Sequence, residues 1–136
     1  AIKPDIAVFD SSWIANTIPY IEKGLIAQPA FYSLVLGQEG AVPATARHLN
    51  FLIESLPPGS FWGCAGHSGH DLQAAMWAIA LGGQARAGFE DSVFYAPGQR
   101  ATSNAQLIER LARIAREAGR TIVSPARART LLGLAG

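Results

Sequence analysis

The sequence predicts an α/β domain of four strand–helix units with parallel strands. Four short apolar or aromatic runs recur at roughly 25 to 29 residues, and each is followed by a segment with helical periodicity. Strand, crossover helix and next strand in one sheet imply right-handed connections. At 136 residues the chain is long enough for one domain with a core, and too short for two of ordinary size.

The first strand is read over Asp5 to Phe9, and the helix after it over Ser12 to Lys23, with Pro19 interrupting the pattern. The second strand is Phe31 to Leu36. Behind it Leu49, Leu52, Ile53 and Leu56 repeat on one helix face until Pro57 and Pro58 stop the run. The third strand is Ser60 to Cys64; Asp71 is expected to cap the next helix, which carries Leu72, Ala75, Met76 and Ile79 and stops at Gly82. The fourth strand is Ala85 to Phe89. After it Ser103 and Gln106 have capping-box spacing, Leu107, Leu111 and Ile114 form an apolar stripe, and Gly119 ends the helix. Ser124 and Pro125 begin a last short helix.

Two architectures carry four such units: a small open doubly wound sheet, or half of an eight-stranded (β/α)8 barrel. Composition favours the half-barrel. Only 15% of residues are charged while 49% are hydrophobic, so the chain has little polar surface and part of its exterior is expected to be covered by another chain or copy. A net charge of +1 offers no footprint for nucleic acid or an anionic membrane. The single Cys64 excludes an internal disulfide and suits a reducing compartment. With no apolar run long enough to span a bilayer and no signal-peptide pattern, a soluble, cytoplasmic protein is expected. The chain opens at Ala1 without an initiator methionine, which reads as a fragment or processed product.

The charged residues concentrate in one telling place. Arg86-Ala87-Gly88-Phe89-Glu90-Asp91 closes the fourth strand, and strand alternation is expected to put Arg86, Gly88 and Glu90 on one face. Sites in α/β folds lie at the carboxyl ends of strands, where Glu90 and Asp91 fall. A structural Arg–carboxylate pair is the plainer alternative. Cys64, lacking a base and an orienting group, reads as a buried core thiol, and Trp13, Trp62 and Trp77 as packing residues. Arg110, Arg113, Arg116, Arg120, Arg127 and Arg129 read as a solvated face with ion pairs to Glu109 and Glu117. His67 and His70 have a spacing open to metal, but a zinc loop needs further clear ligands.

The stretch ARAGFED, followed by SNAQLIE and an R-I-A helix, resembles the β-keto acid cleavage enzymes, whose pattern there is an RxGxED followed by SNA. PDIAVFD, GLIAQPAFYSLVLGQEG, LPPGSFWGCAG and SPARARTLLGL are similar to further segments of that family, so the resemblance covers essentially the whole chain. It implies the C-terminal half, strands five to eight, of a (β/α)8 TIM-type barrel, with residues 1–136 as one half-barrel domain. The implied chemistry is a zinc-dependent transfer in which a β-keto acid and acetyl-CoA give acetoacetate and a new CoA thioester. Carried onto this chain, Glu90 is the metal ligand, Arg86 the active-site arginine and Asp91 its acid–base neighbour. Gly66 and Gly69, in the loop after the third strand, suit backbone approach to a phosphate or the CoA chain.

The departures from the family pattern are specific. Its other zinc ligands form a His-x-His pair in the N-terminal half, a spacing absent here, so Glu90 needs a complementary half to complete the site. Gln84 stands where the family usually has histidine, and Asp5 with Ala7 where its strand tends to carry glutamates, which bears on the keto acid recognised. The expected partners are a β-keto acid, acetyl-CoA, and a complementary half-barrel or second copy in a homo-oligomer. The alternatives are a non-catalytic half-barrel that self-associates and binds CoA or another anion without metal, and a free-standing flavodoxin-like ligand binder.

Overall fold

The computed structural model describes residues 2–134; Ala1, Ala135 and Gly136 lie outside the described residues. Strands β1 (Asp5–Val8), β2 (Phe31–Leu36), β3 (Phe61–Gly66) and β4 (Gln84–Ala85) form one parallel sheet in the order β1-β2-β3-β4. Helices α1 (Ser11–Glu22), α2 (Ala46–Glu54) and α3 (Asp71–Ala80) make the crossovers. An antiparallel ribbon, β5 (Phe94–Ala96) with β6 (Gln99–Arg100), precedes α4 (Asn104–Glu117) and α5 (Pro125–Leu131).

The register sets the two faces of the sheet. Val8 lies beside Leu34, Leu34 beside Cys64, and Cys64 beside Ala85. Residues in phase with that row, including Tyr32 and Leu36, join Ile14 of α1, Leu49 and Leu52 of α2, and Ala74 and Ala78 of α3 in one core. The opposite phase presents Asp5, Phe31, Ser33 and Gly63 to a shallow cavity of about 160 Å³. The crossover helices therefore share one covered face and leave the other open, an arrangement compatible with half of a barrel. No helix among the described residues is long and apolar enough to cross a membrane.

Local chemistry starts four of the five helices. Asp10 caps α1 by accepting the Ser12 N–H at 2.9 Å, a bond that also holds its carboxyl below the ordinary aspartate range. Thr45 and Ser124 cap α2 and α5 in the same way, with Pro125 in the first turn of α5. Ser103 accepts the Gln106 N–H at 3.1 Å, while the Gln106 side chain accepts the N–H of Thr102. Pro19 does not interrupt α1, which runs on to Glu22. Its buried face is pinned to the sheet through Thr17, whose hydroxyl lies 2.7 Å from the Tyr32 hydroxyl and donates to the Ile14 carbonyl.

The structure corrects four further expectations. The fourth strand is Gln84–Ala85 and not Ala85 to Phe89: the Asp91 and Ser92 N–H groups both bond the Gly88 carbonyl, so the chain turns where alternation was expected to continue. Asp71 does not cap α3; it is the first helical residue, and His70 precedes it without a side-chain bond. Its carboxylate points instead at Arg110, 3.5 Å away. Arg110 leaves the solvated face because it is buried between α3, α4 and β5, with its guanidinium over the Tyr95 ring and bonded to the Tyr95 carbonyl. Arg120 is likewise engaged, donating to the carbonyls of Ile79, Gly82 and Gly83 at the end of α3.

Candidate active site

The pairing of β3 with β4 brings two chain ends together. Beyond the last ladder pair the Arg86 N–H still reaches the Cys64 carbonyl at 3.1 Å, which sets Arg86 beside the carboxyl end of β3. Just past the end of β3 the His67 N–H donates to the Leu36 carbonyl of β2 at 2.9 Å, so His67 emerges at the same end of the sheet. The Gly88–Asp91 turn then folds Asp91 back between them.

Asp91 is the centre of the cluster. It receives hydrogen bonds from Arg86 Nε at 3.1 Å and Arg86 Nη2 at 2.8 Å, a two-pronged arrangement that fixes the planes of both groups. His67 Nε2 stands 3.2 Å from Asp91 Oδ1. The Asp91 side chain is 1% exposed, against 19% for His67 and 42% for Arg86. Glu90 is the opposite case: its side chain is 82% exposed and meets Arg86 Nη2 at 3.1 Å. Arg86 thus stands between an enclosed carboxylate and an exposed one.

The turn has its own support. Asn104, the first residue of α4, accepts the Phe89 N–H at 2.8 Å through its side-chain oxygen. That bond explains why an SNA sequence accompanies RxGxED: Ser103 caps the helix while Asn104 holds the turn that carries Glu90 and Asp91. A side chain at Gly88 would begin 3.4 Å from this oxygen.

The two loop glycines differ. Gly66 is buried at the end of β3, and a Cβ there would lie 2.4 Å from the His70 carbonyl oxygen, so its bareness serves close packing of β3 on the start of α3. Gly69 is exposed with φ +84° and lines a largely apolar groove of about 560 Å³ together with Asp71, Met76, Ser92, Tyr95 and Gly98. The ribbon that walls this groove was missed in the sequence, although Pro97-Gly98 between two short runs signals a reversal. His67 was missed as a neighbour of Asp91; its place just past the third strand was the available signal. His70 lies apart from the cluster's bonds, and Cys64 is buried with its thiol pushed up to about 12 by desolvation.

Among the described residues no three His, Cys, Asp or Glu side chains are grouped to hold a metal ion. The exposed Glu90 carboxylate has the oxygen donors for one zinc ligand and is tied down only through Arg86.

A parallel sheet with an arginine–carboxylate corner at its strand ends defines an α/β protein whose charged site lies where such folds bind and transform small molecules. The family description "beta-keto acid cleavage enzyme" matches residues 1–134, and the chain belongs to that family. A 3-keto-5-aminohexanoate cleavage enzyme of Fusobacterium nucleatum is 44% identical over 98% of this chain and 48% of its own length. A protein of the same name from Acetoanaerobium sticklandii is 39% identical over 98% of this chain and 49% of its own. A 3-oxoadipate:acetyl-CoA acetyltransferase of Cupriavidus necator is 36% identical over 98% of this chain and 48% of its own. The chain thus spans about half the length of the curated relatives it matches.

Proposed function

We propose that this chain is the C-terminal half-barrel, strands five to eight, of a zinc-dependent enzyme that converts a β-keto acid and acetyl-CoA into acetoacetate and a CoA thioester. Its whole length, 1–136, is one half-barrel domain working in the cytoplasm. The observation that carries the reading is the Arg86–Asp91 pair with Glu90 exposed beside it, at the strand ends of a chain from this family. Relatives named for keto-acid cleavage and acetyl-CoA transfer support the substrate class.

Glu90 supplies one metal ligand and a complementary half-barrel supplies the rest. When bound, zinc polarises the keto oxygen of the substrate as a Lewis acid. Arg86 offsets carboxylate or enolate charge with the guanidinium that Asp91 orients. Asp91, held by Arg86, is the acid–base group of the proton-transfer step. The groove at Gly69 takes the acyl-bearing arm of CoA; its apolar lining suits an alkyl amide chain, and the missing side chain lets backbone approach closely. Gly66 shapes the loop that leads to it. The open sheet face and the single neighbours of β1 and β4 among the described residues support closure by a second half.

The test is to purify the assembly that contains this chain, measure its zinc, and assay acetoacetate from β-keto acids with acetyl-CoA. About one zinc per closed barrel is expected, as one catalytic site needs, with turnover that is lost in Glu90→Ala together with the metal. An assembly of this chain alone, without zinc or acetoacetate, would replace the reading with a non-catalytic, self-associating half-barrel that binds CoA.

A further inference from the structure

The groove between α3 and the ribbon has one feature out of keeping with its apolar lining. Asp71 forms part of the wall, although only 6% of the residue is exposed. Its Oδ2 faces Arg110 Nη2 at 3.5 Å, a long contact, and among the described residues nothing bonds Oδ1. Oδ1 is not wholly enclosed either, and the groove that Asp71 lines is where it opens. Arg110 cannot turn to serve that second oxygen, because the Tyr95 carbonyl and ring hold its guanidinium. A nearly buried carboxylate therefore keeps one acceptor unmet in an apolar wall, a cost that a ligand carrying the right donor removes.

The balance of charge decides what kind of donor fits. Arg110 already matches the charge of Asp71, so an ammonium at Oδ1 would leave one positive charge uncompensated between largely apolar walls. A neutral amide N–H completes the bonding of the oxygen and adds no charge. Leu72, Met76 and Phe94 offer contact to methylene segments on either side of such an amide. Ser92 Oγ accepts the Phe94 N–H at 3.2 Å, which leaves its own hydrogen to donate to an amide carbonyl.

We infer that Asp71 is a binding residue for the acyl-bearing arm of CoA and accepts an amide N–H of its pantetheine chain through Oδ1, an inference that rests on the reading above for the identity of the arm. A chain of equal bulk without that N–H leaves the oxygen unmet, so Asp71 selects the amide-bearing arm over a plain alkyl chain. The Asp71–Arg110 pair thus has a use at the groove besides joining α3 to α4.

Calorimetry on the assembled protein tests this with pantetheine and its two ester analogues, in each of which one amide N–H is replaced by oxygen. At least one analogue is expected to bind about tenfold or more weakly than pantetheine, as the loss of a hydrogen bond to a charged group implies. In Asp71→Asn, Arg110 keeps the side-chain oxygen and the NH2 group is turned to the groove, so the ester penalty should vanish or reverse. The inference is overturned if both analogues bind the unmodified protein within about threefold of pantetheine, or if pantetheine does not bind. A folded Asp71→Asn that keeps the full penalty overturns it too. An assembly that shows the penalty but makes no acetoacetate from acetyl-CoA removes the proposed reaction and leaves Asp71 its role; acetoacetate without a penalty does the reverse.

Discussion

Arg86 grips Asp91 with two hydrogen bonds across a chain reversal that lies between them, at 3.1 and 2.8 Å, so a tight turn and a charged corner are one object. Arg86→Lys replaces the fork with a point charge that cannot meet both oxygens. The expected loss is about 1 to 2 kcal/mol, the lower part of the range for hydrogen bonds to charged groups because Arg86 is half-exposed. Glu90→Gln should change stability by less than about 0.5 kcal/mol, since its carboxylate is exposed. Urea unfolding compares the two, and equal losses would show that the Asp91 pair does not hold the turn.

Arg110 and Asp71 form a buried pair joining residues 39 positions apart, and the Arg110 Nε is buried without a partner among the described residues. Arg110→Met leaves the Asp71 carboxylate enclosed and unpaired, and is expected to cost about 3 to 5 kcal/mol. Adding Asp71→Leu should recover most of that loss. A double variant no more stable than the single one would mean that packing, and not charge, holds α3 against α4.

Gly66→Ala drives a methyl group against the His70 carbonyl and the Ala74 side chain, at 2.4 and 2.8 Å. Overpacking of this kind costs about 1 to 3 kcal/mol. The thermal midpoint should fall accordingly. An unchanged midpoint would show that the start of α3 can shift away at no cost.

Cys64 links pH to stability. Its thiol is raised to about 12 in the folded chain from an ordinary value of 9.0, because burial disfavours the thiolate. The folded state therefore keeps a proton that the unfolded chain releases, so this contribution is intact below pH 9 and is lost as pH rises from there toward 12. Cys64→Ser, whose hydroxyl does not ionise in that window, should flatten the alkaline decline in urea-unfolding midpoint. In the native protein at pH 8, alkylation of Cys64 should be limited by unfolding; reaction as fast as that of a free thiol would contradict its burial.

Much of the scaffold was legible in the chain. Phe31–Leu36 was read with the bounds that the structure has, because an apolar run between turn residues has few other uses. Ser103 and Ser124 were read as caps because a short hydroxyl side chain answers the unpaired N–H groups two or three residues ahead. Asp71 misled by the same rule: an acid before an apolar run looks like a cap, and nothing local reveals that a buried arginine from a later helix claims it. The reading of Arg86, Glu90 and Asp91 located the charged corner but assigned its faces wrongly, since alternation was carried through Gly88, where the backbone turns.

The sequence by itself determined the four repeating units, the helix starts and the end of the sheet at which charge gathers. Those features rest on side-chain periodicity and on backbone groups satisfied within a few residues, interactions that a local stretch contains in full. Only the tertiary structure decided that Asp91 is enclosed while Glu90 is exposed, that His67 reaches Asp91 from the loop after β3, and that Arg110 is buried. A charged side chain removed from water takes whichever partner the packing of distant elements brings within reach, and that choice is made through space, beyond what any local stretch specifies.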